Sequence, residues 1–455
     1  MEENMKKIHF IGIGGISMSA IALIMNSKGY YVSGSDCNPS KITEHLTEAG
    51  IHVTIGQKAE NITPDMDIIV YTAAVHENNP ELIAARATQA RVITRAMMLG
   101  ELLDEFPVPV GVAGTHGKTS TSSMLAYIYL AAKLDPTVAI GGILQNLGAN
   151  YRIGHGTHML IEACEYTDSF LHFHPLYNII TNIEEDHLDY FRDLAHIQDS
   201  FHRYVAGMKK GGALITSPQC AQLFSDLPVR ILTVSLDEPA DITCQNITHL
   251  PHTLGSSFDL IYQGENLGRL ELPVPGRHLL YDALCAAGAA LAEGLPFSAV
   301  YEGLKAYQST QQRFEYKGMF QGAKVIDDYA HHPSEIRATL LTAQEVPHQE
   351  LYVVFQPHTY SRTIAFFDDF VRALSLADHV ILADIYSASR EVDTGEINSA
   401  MLADAIAKTG TDVHYFPSFD EIEKFLQKNI STNDLLITMG AGKAVDIANH
   451  LISQQ

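Results

Sequence analysis

Short apolar runs that stop at glycine recur along the chain, each followed by a helix-like segment. The first run, Lys7 to Ile11, meets the turn Gly12-Ile13-Gly14-Gly15-Ile16-Ser17. A helix from Ser17 to Lys28 follows and ends at Gly29. Tyr31 to Gly34 makes the next strand, with Asp36 at its tip. Strands that alternate with helices predict a parallel sheet. The alternation resumes at the strand Asp67 to Tyr71, the turn Thr72-Ala73-Ala74-Val75 and a helix from Pro80. This unit closes near Glu105, and Phe106-Pro107-Val108-Pro109 reads as a linker.

A second series starts with the strand Val108 to Ala113, which passes through glycines into a helix, Ser120 to Ala132. After Ile140-Gly141-Gly142, a strand from Met159 to Ala163 carries Glu162 and leads to Glu165. Another, Asn178 to Thr181, runs into Asn182-Ile183-Glu184-Glu185-Asp186-His187. Shorter strands fill Gly212 to Leu272, and Pro273-Val274-Pro275-Gly276-Arg277-His278 opens an alanine-rich helix, Leu279 to Glu293. The last third starts near Gln311, where Arg313-Phe314-Glu315 precede the strand Lys324 to Asp327. That strand ends in Asp328-Tyr329-Ala330-His331-His332-Pro333 and a helix. The strand Leu351 to Phe355 ends in Gln356-Pro357-His358-Thr359-Tyr360-Ser361-Arg362. Strands His379 to Ala383 and Leu435 to Met439 follow, the latter entering Gly440-Ala441-Gly442 and a terminal helix. The fold class is α/β throughout.

At 455 residues the chain is too long for one core and suggests two to four domains. Its 46% hydrophobic and 18% charged residues are ordinary for a folded protein. A net charge of −23 argues against nucleic acid or an anionic membrane as the main partner. An anionic substrate must then be held by local lysines, arginines and helix N-termini. Cys37, Cys164, Cys220, Cys244 and Cys285 are scattered, which fits a reducing cytoplasm better than a disulfide framework. The first residues have no signal-peptide layout, and the most apolar run, Ile8 to Met25, is broken by His9, Gly12, Gly14 and Gly15. It reads as strand, turn and helix, so no membrane span is expected.

Two glycine turns carry phosphate chemistry. In Gly111-Val112-Ala113-Gly114-Thr115-His116-Gly117-Lys118-Thr119-Ser120-Thr121, backbone N–H groups and a helix N-terminus can surround a phosphate. Lys118 would reach the outer phosphates and the Thr119 hydroxyl could hold Mg²⁺. The strict pattern wants glycine where Val112 stands, so this is a variant, and an ATP site is the reading it supports. The first turn is nearly a dinucleotide fingerprint, with Ser17 in place of the third glycine and Asp36 following. Alone it suggests NAD, another nucleotide diphosphate, or a structural βαβ unit. Polar residues at the carboxyl ends of parallel strands line the ligand crevice, which makes Glu165 and His187 candidate magnesium or water ligands. His172 and His174 lack that context and are expected to be structural.

Taken together, these motifs resemble the Mur ligases of peptidoglycan synthesis. The matching residues are Gly12-Ile13-Gly14-Gly15 with Ser35-Asp36, Gly114-Thr115-His116-Gly117-Lys118-Thr119, Glu162-Ala163-Cys164-Glu165, Thr181 to His187, Asp327 to Pro333, and Phe355 to His358. The resemblance spans essentially the whole chain, and the N-terminal glycines with the Asp-Asp-Tyr-Ala-His-His-Pro run are those of the alanine-adding member. It implies three domains: a Rossmann-like UDP-sugar-binding unit (1–106), a central P-loop ATPase-like parallel sheet (107–311), and a Rossmann-like amino-acid-binding unit (312–455). It implies ATP-dependent ligation of L-alanine to UDP-N-acetylmuramate through an acyl phosphate, with a tripeptide-recycling ligase as the alternative.

By the same resemblance, Gly12, Gly14, Gly15, Ser17, Ser35, Asp36 and Thr72 hold the UDP-sugar rather than NAD. Gly114 to Ser120, that is Gly114, Thr115, His116, Gly117, Lys118, Thr119 and Ser120, hold ATP together with Arg313 and Asp328. Thr119, Glu165 and His187 are the Mg²⁺-side groups, Lys118 and His331 act at phosphate, and Tyr329, His358 and Arg362 position the alanine. Two positions depart from the family. Leu279 follows His278 where relatives show an asparagine near adenine, which leaves that contact open. Thr359 follows His358 where many carry arginine, which leaves more of the carboxylate to Arg362. A carbamylated lysine occurs in some members, and Lys209 and Lys210 are weak matches for it.

Overall fold

The computed structural model describes residues 5–72, 74–144, 148–188, 190–250, 254–387, 391 and 393–453. Ala73 of the expected turn lies outside them. Three separate sheets carry most of the chain. The first is wholly parallel, in the order His52–Ile55, Tyr31–Asp36, Lys7–Ile11, Ile68–Tyr71, Arg91–Thr94. The second orders Arg230–Thr233, Ala213–Thr216, Tyr177–Ile180, Val108–Ala113, His158–Glu162, Thr137–Leu144 and Ala149–Arg152. Only its last pair is antiparallel. The third orders Glu315–Phe320, Ala323–Asp328, Leu435–Met439, Leu351–Phe355, His379–Leu382 and Asp412–Tyr415, with an antiparallel first pair. A small antiparallel sheet of Ile242–His249, Ser256–Tyr262 and Glu265–Leu272 accounts for the later of the strands expected between Gly212 and Leu272; Ala213–Thr216 and Arg230–Thr233 belong to the second sheet.

Periodicity explains which strands were legible. Val110, Val112, Ile179, Leu160 and Ile161 are fully buried because helices cover both faces of the central sheet. Each such side chain is worth roughly 1.5–3 kcal/mol on burial. Edge strands such as His52–Ile55 and Arg91–Thr94 carry polar residues on their outer face and give no continuous apolar run. The linker expected at 106–109 is half strand, since Val108 and Pro109 pair with His158 and Met159. Proline is tolerated there, near the start of the strand. The helix after the second glycine turn starts at Lys118 and not at Ser120, because Gly117 takes the capping position with φ of 82°. Among the described residues, no helix is long and apolar enough to cross a membrane.

Candidate active site

Val108–Ala113 sits in mid-sheet between Tyr177–Ile180 and His158–Glu162. The carboxyl ends of these neighbours therefore set Gly114–Lys118, Asn182–His187 and Ala163–Glu165 along one edge. The glycine turn is clamped from the side. The Asn182 carbonyl accepts from the Thr115 N–H at 3.1 Å, and its side-chain oxygen from the His116 N–H at 2.9 Å. Gly117 is left-handed, and a Cβ there would stand 2.5 Å from Asp282, so both conformation and space demand glycine.

Lys118, the first residue of its helix, folds back over the turn. Its ammonium donates to the carbonyls of Gly114 and Thr115 and to Glu165 at 3.1 Å. Burial opposes its charge, but the Glu165 carboxylate outweighs this and raises its pKa above the ordinary value. The Thr119 hydroxyl donates to Glu162 at 3.2 Å, and Glu162 also accepts from Ser122 and from the Gly141 N–H at 2.7 Å. His187 stands 3.9 Å from Glu165 and 3.7 Å from Asp186, its ring against Tyr166. Thr167, Asp168 and His187 all adopt left-handed backbone, with φ of 54°, 56° and 51°. Such strain costs on the order of 1 kcal/mol per residue and concentrates where geometry is imposed by function. The Thr119 hydroxyl is thus taken up by Glu162, while Glu165 stands between Lys118 and His187.

The third sheet presents its own carboxyl edge to the same place. Arg313 lies between two left-handed residues, Gln312 and Phe314, with its guanidinium over the Tyr329 ring at 5.3 Å. The Tyr329 ring also meets the His331 ring edge-on, with centroids 5.3 Å apart. Asp328 accepts from the N–H groups of Phe314 and Ala330 at 2.8 and 2.7 Å, and burial pushes its carboxyl up to about 6. Burial pushes His331 down to about 4, and its ring is 5.5 Å from that of His358. His358 meets Arg362 at 3.2 Å, and Arg362 donates to Asp186 of the central sheet at 2.8 Å. Burial would raise the Asp186 pKa, but His187 and Arg362 outweigh it and hold the carboxyl well below the usual range.

His116 makes the other bridge between the sheets. It lies 3.1 Å from Glu335, 2.9 Å from the Ser334 hydroxyl and 3.5 Å from Glu184. Burial alone would lower its pKa; Glu335 and Glu184 push it up to about 9. A raised histidine stabilises the folded state fully below its unfolded pKa of about 6.5 and loses that contribution as pH rises towards about 9. The melting temperature of the ligand-free protein should therefore fall between these pH values, and His116→Gln should flatten that slope. A variant profile parallel to the wild type would remove His116 from the account. His116, Glu184 and His332 also bring one possible ligand atom each within 4.8 Å.

Among the cavities that adjoin these bridges, two are lined by candidate residues. One of about 200 Å³ runs from Gly117 and Ser120 past His278, Leu279 and Asp282 to Arg313 and Asp328. Burial pushes Asp282 up to about 8 and His278 down to about 4. Leu279 lines this cavity with an apolar wall. The other, about 310 Å³, is lined by Asp186, His187, Leu188, Thr359, Arg362 and Phe366.

The N-terminal turn opens towards the same edge. The Ser35 carbonyl accepts from the N–H groups of Gly12 and Ile13 at 2.8 and 2.9 Å, and Asp36 accepts from the Gly14 N–H at 2.9 Å. These two residues shape the turn from behind. Ser35 departs from expectation: its side chain is fully buried and donates to Glu81, so it cannot face a ligand. Ser17 accepts from Arg95 at 2.9 Å, and the Thr72 methyl would stand 2.9 Å from a Cβ at Gly12. Asn150 of the central sheet donates to the Ile16 carbonyl at 3.1 Å, which docks the two units. Lys209 is taken by Asp104 at 3.1 Å and Lys210 is exposed, so neither stands with Lys118 and Glu165. His174 pairs with Asp104 at the surface. Sequence reasoning missed Glu335, Asp186, Asp282 and Arg95. Glu335 sits in a capping box after His332, a spacing that signals only a helix start.

Three family models match the chain: Mur ligase family, catalytic domain over 7–107; Mur ligase middle domain over 112–290; and Mur ligase, glutamate ligase domain over 312–442. The UDP-N-acetylmuramate–L-alanine ligase of Agathobacter rectalis is 47% identical over 450 residues, covering 98% of each chain. That of Lachnospira eligens is 44% identical over 448 residues, covering 98% of this chain and 97% of its own. The crystal structure of the UDP-N-acetylmuramate–alanine ligase of Thermotoga maritima superposes with a TM-score of 0.82 at 29% identity, covering 98% of both chains. A murein peptide ligase of Psychrobacter arcticus, at 24% identity and a TM-score of 0.71 over 98% of both chains, shares the fold.

Proposed function

From the premise that the chain belongs to the Mur ligase family, we infer that it joins L-alanine to UDP-N-acetylmuramate with cleavage of ATP. The observation that carries this is full-length identity of 42–47% to ligases of that name, on a chain whose three sheets turn their carboxyl edges to one place. We set the domain boundaries at 106/107 and 311/312 and the reaction in the cytoplasm.

ATP occupies the cavity between the central and C-terminal sheets, with its phosphates on the turn Gly114–Lys118 and the Thr119 helix start. Leu279 and His278 wall the base, and Asp328 and Arg313 take the ribose and phosphate side. Lys118 leaves Glu165 for the outer phosphates, because an anion of higher charge competes for the same ammonium. Thr119, Glu165 and His187 would hold Mg²⁺, which supplies charge neutralisation for phosphoryl transfer when bound. The muramoyl carboxylate attacks the γ-phosphorus, ADP leaves, and an acyl phosphate forms. The unprotonated alanine amine attacks its carbonyl carbon, and inorganic phosphate departs from the tetrahedral intermediate. Arg362 holds the alanine carboxylate next to His358, and His331, kept neutral by burial, faces phosphate.

Phosphate release by purified protein should need UDP-N-acetylmuramate, L-alanine and ATP together, and should stop with EDTA. UDP-N-acetylmuramate, and not NAD, should raise the melting temperature, since saturation at a hundredfold over Kd stabilises by about 2.7 kcal/mol. Phosphate release without the UDP-sugar, or a shift with NAD alone, defeats the reading.

A further inference from the structure

Arg362 joins two of the sheets through an acid, Asp186. Arg95 also stands between units, but it meets a hydroxyl in place of an acid. It is the first residue of the helix Arg95–Asp104, at the carboxyl end of the strand Arg91–Thr94. Thr94 caps that helix by accepting from the Met97 N–H at 3.2 Å, which fixes where Arg95 begins. The guanidinium is partly buried, and among the described residues its one hydrogen bond is from Nη1 to the Ser17 hydroxyl at 2.9 Å. Among the described residues no carboxylate lies within ion-pair reach of it. Burial pulls its pKa below the ordinary guanidinium value, and the titratable group that opposes this is the Cys164 thiol.

The hydrogen bond to Ser17 locates it, as does the close packing of its helix, in which a Cβ at Gly100 would stand 2.2 Å from the His172 carbonyl oxygen. Ser17 belongs to the glycine turn of the N-terminal sheet, and Cys164 adjoins Glu165, the partner of Lys118. Arg95 thus stands between the N-terminal turn and the ligation centre. A guanidinium has five donors, and four of these are without an acceptor among the described residues. A partly desolvated cation without a counter-charge is costly unless an anion completes it. The neighbouring glycine turn offers backbone N–H groups to phosphate but no side-chain cation of its own. The fork of an arginine matches the oxygens of a phosphate in pairs.

We propose that Arg95, held by Ser17, receives the diphosphate of the UDP-sugar and so aims the sugar end of that substrate at Lys118. This rests on the ligation reading above and adds a positioning residue to it.

The test uses UDP alone as a calorimetric probe, and steady-state ligation with each substrate varied. Arg95→Ala should weaken UDP binding and raise the KM for UDP-N-acetylmuramate by roughly 10²-fold, as expected for one partner of a desolvated charge pair. The KM values for ATP and L-alanine should stay within about 3-fold of wild type, a margin near 0.7 kcal/mol. Arg95→Lys should restore part of the UDP affinity, and Ser17→Ala should show a smaller loss of the same kind. An unchanged melting temperature shift with ATP reports that each variant is folded. Unaltered UDP binding in folded Arg95→Ala overturns the proposal, including the case in which only kcat falls, since the group met would then be the muramoyl carboxylate. Absence of ligation by the wild type would instead overturn the functional reading, which UDP binding alone does not depend on.

Discussion

Lys118→Ala should lower ATP-dependent ligation by on the order of 10³-fold while UDP-N-acetylmuramate still binds. One preorganised donor at a developing charge is worth roughly 10²–10³ in rate, and Lys118, in the role proposed for it, would bring a full charge to the transferring phosphoryl group. The substitution also has a structural consequence. Glu165 is 2% exposed and loses its cation, and breaking a buried pair on one side costs about 3–5 kcal/mol. Lys118→Ala/Glu165→Gln removes both charges and should regain much of the lost melting temperature without regaining activity. Phosphate release measured beside calorimetric titration of the UDP-sugar separates the two effects. Near-normal turnover by Lys118→Ala would withdraw the glycine turn from the ATP site.

The positions that could be read from sequence are those whose geometry is local. Gly114 to Thr119 bend one strand into one helix, and the glycines and the lysine are all within one turn of chain, so the spacing specifies the shape of that turn. Glu165 and His187 were within reach for a related reason. Each follows a buried strand, and a parallel sheet forces such residues onto one edge. What escaped depends on contacts between units. Asp186 matters because Arg362, from another sheet, reaches it, and no local pattern marks that pair. Arg95 begins an ordinary helix, and its distinction is the acid it lacks. Ser35 went wrong in the opposite sense. Its place beside Asp36 fits a ligand-binding strand tip, but the same strand turns the hydroxyl inward to Glu81. The antiparallel edge strand Glu315–Phe320 was hidden because its exposed residues interrupt the apolar alternation. The physical division is between what a turn dictates and what packing of distant elements adds.

Arg362 gives the second large effect, and it decides the acceptor. The guanidinium is held on both sides, by Asp186 at 2.8 Å and His358 at 3.2 Å, and its side chain is 10% exposed. It is thereby fixed before substrate arrives, and a fixed fork can donate two parallel hydrogen bonds to a carboxylate. Arg362→Ala removes this and leaves Asp186 buried without its cation, so kcat/KM for L-alanine should fall by about 10²–10³-fold. Arg362→Lys keeps the charge and loses the fork. It should raise the KM for alanine much more than that for ATP. Leu188 and Phe366 give the adjoining cavity apolar walls that suit the methyl group of alanine. One methyl is worth roughly 1–3 kcal/mol, so glycine should be a weaker acceptor by a modest factor, and serine likewise. The tripeptide L-Ala-D-Glu-diaminopimelate carries extra carboxylates and must enter beside Asp186, which repels them, so it should be a poor acceptor. Mass spectrometry of products formed with each acceptor at equal concentration measures the order directly. A preference for the tripeptide would reassign the chain to the recycling branch of its family, and an equal loss of ATP and alanine affinity in Arg362→Lys would move this arginine from the acceptor to the nucleotide.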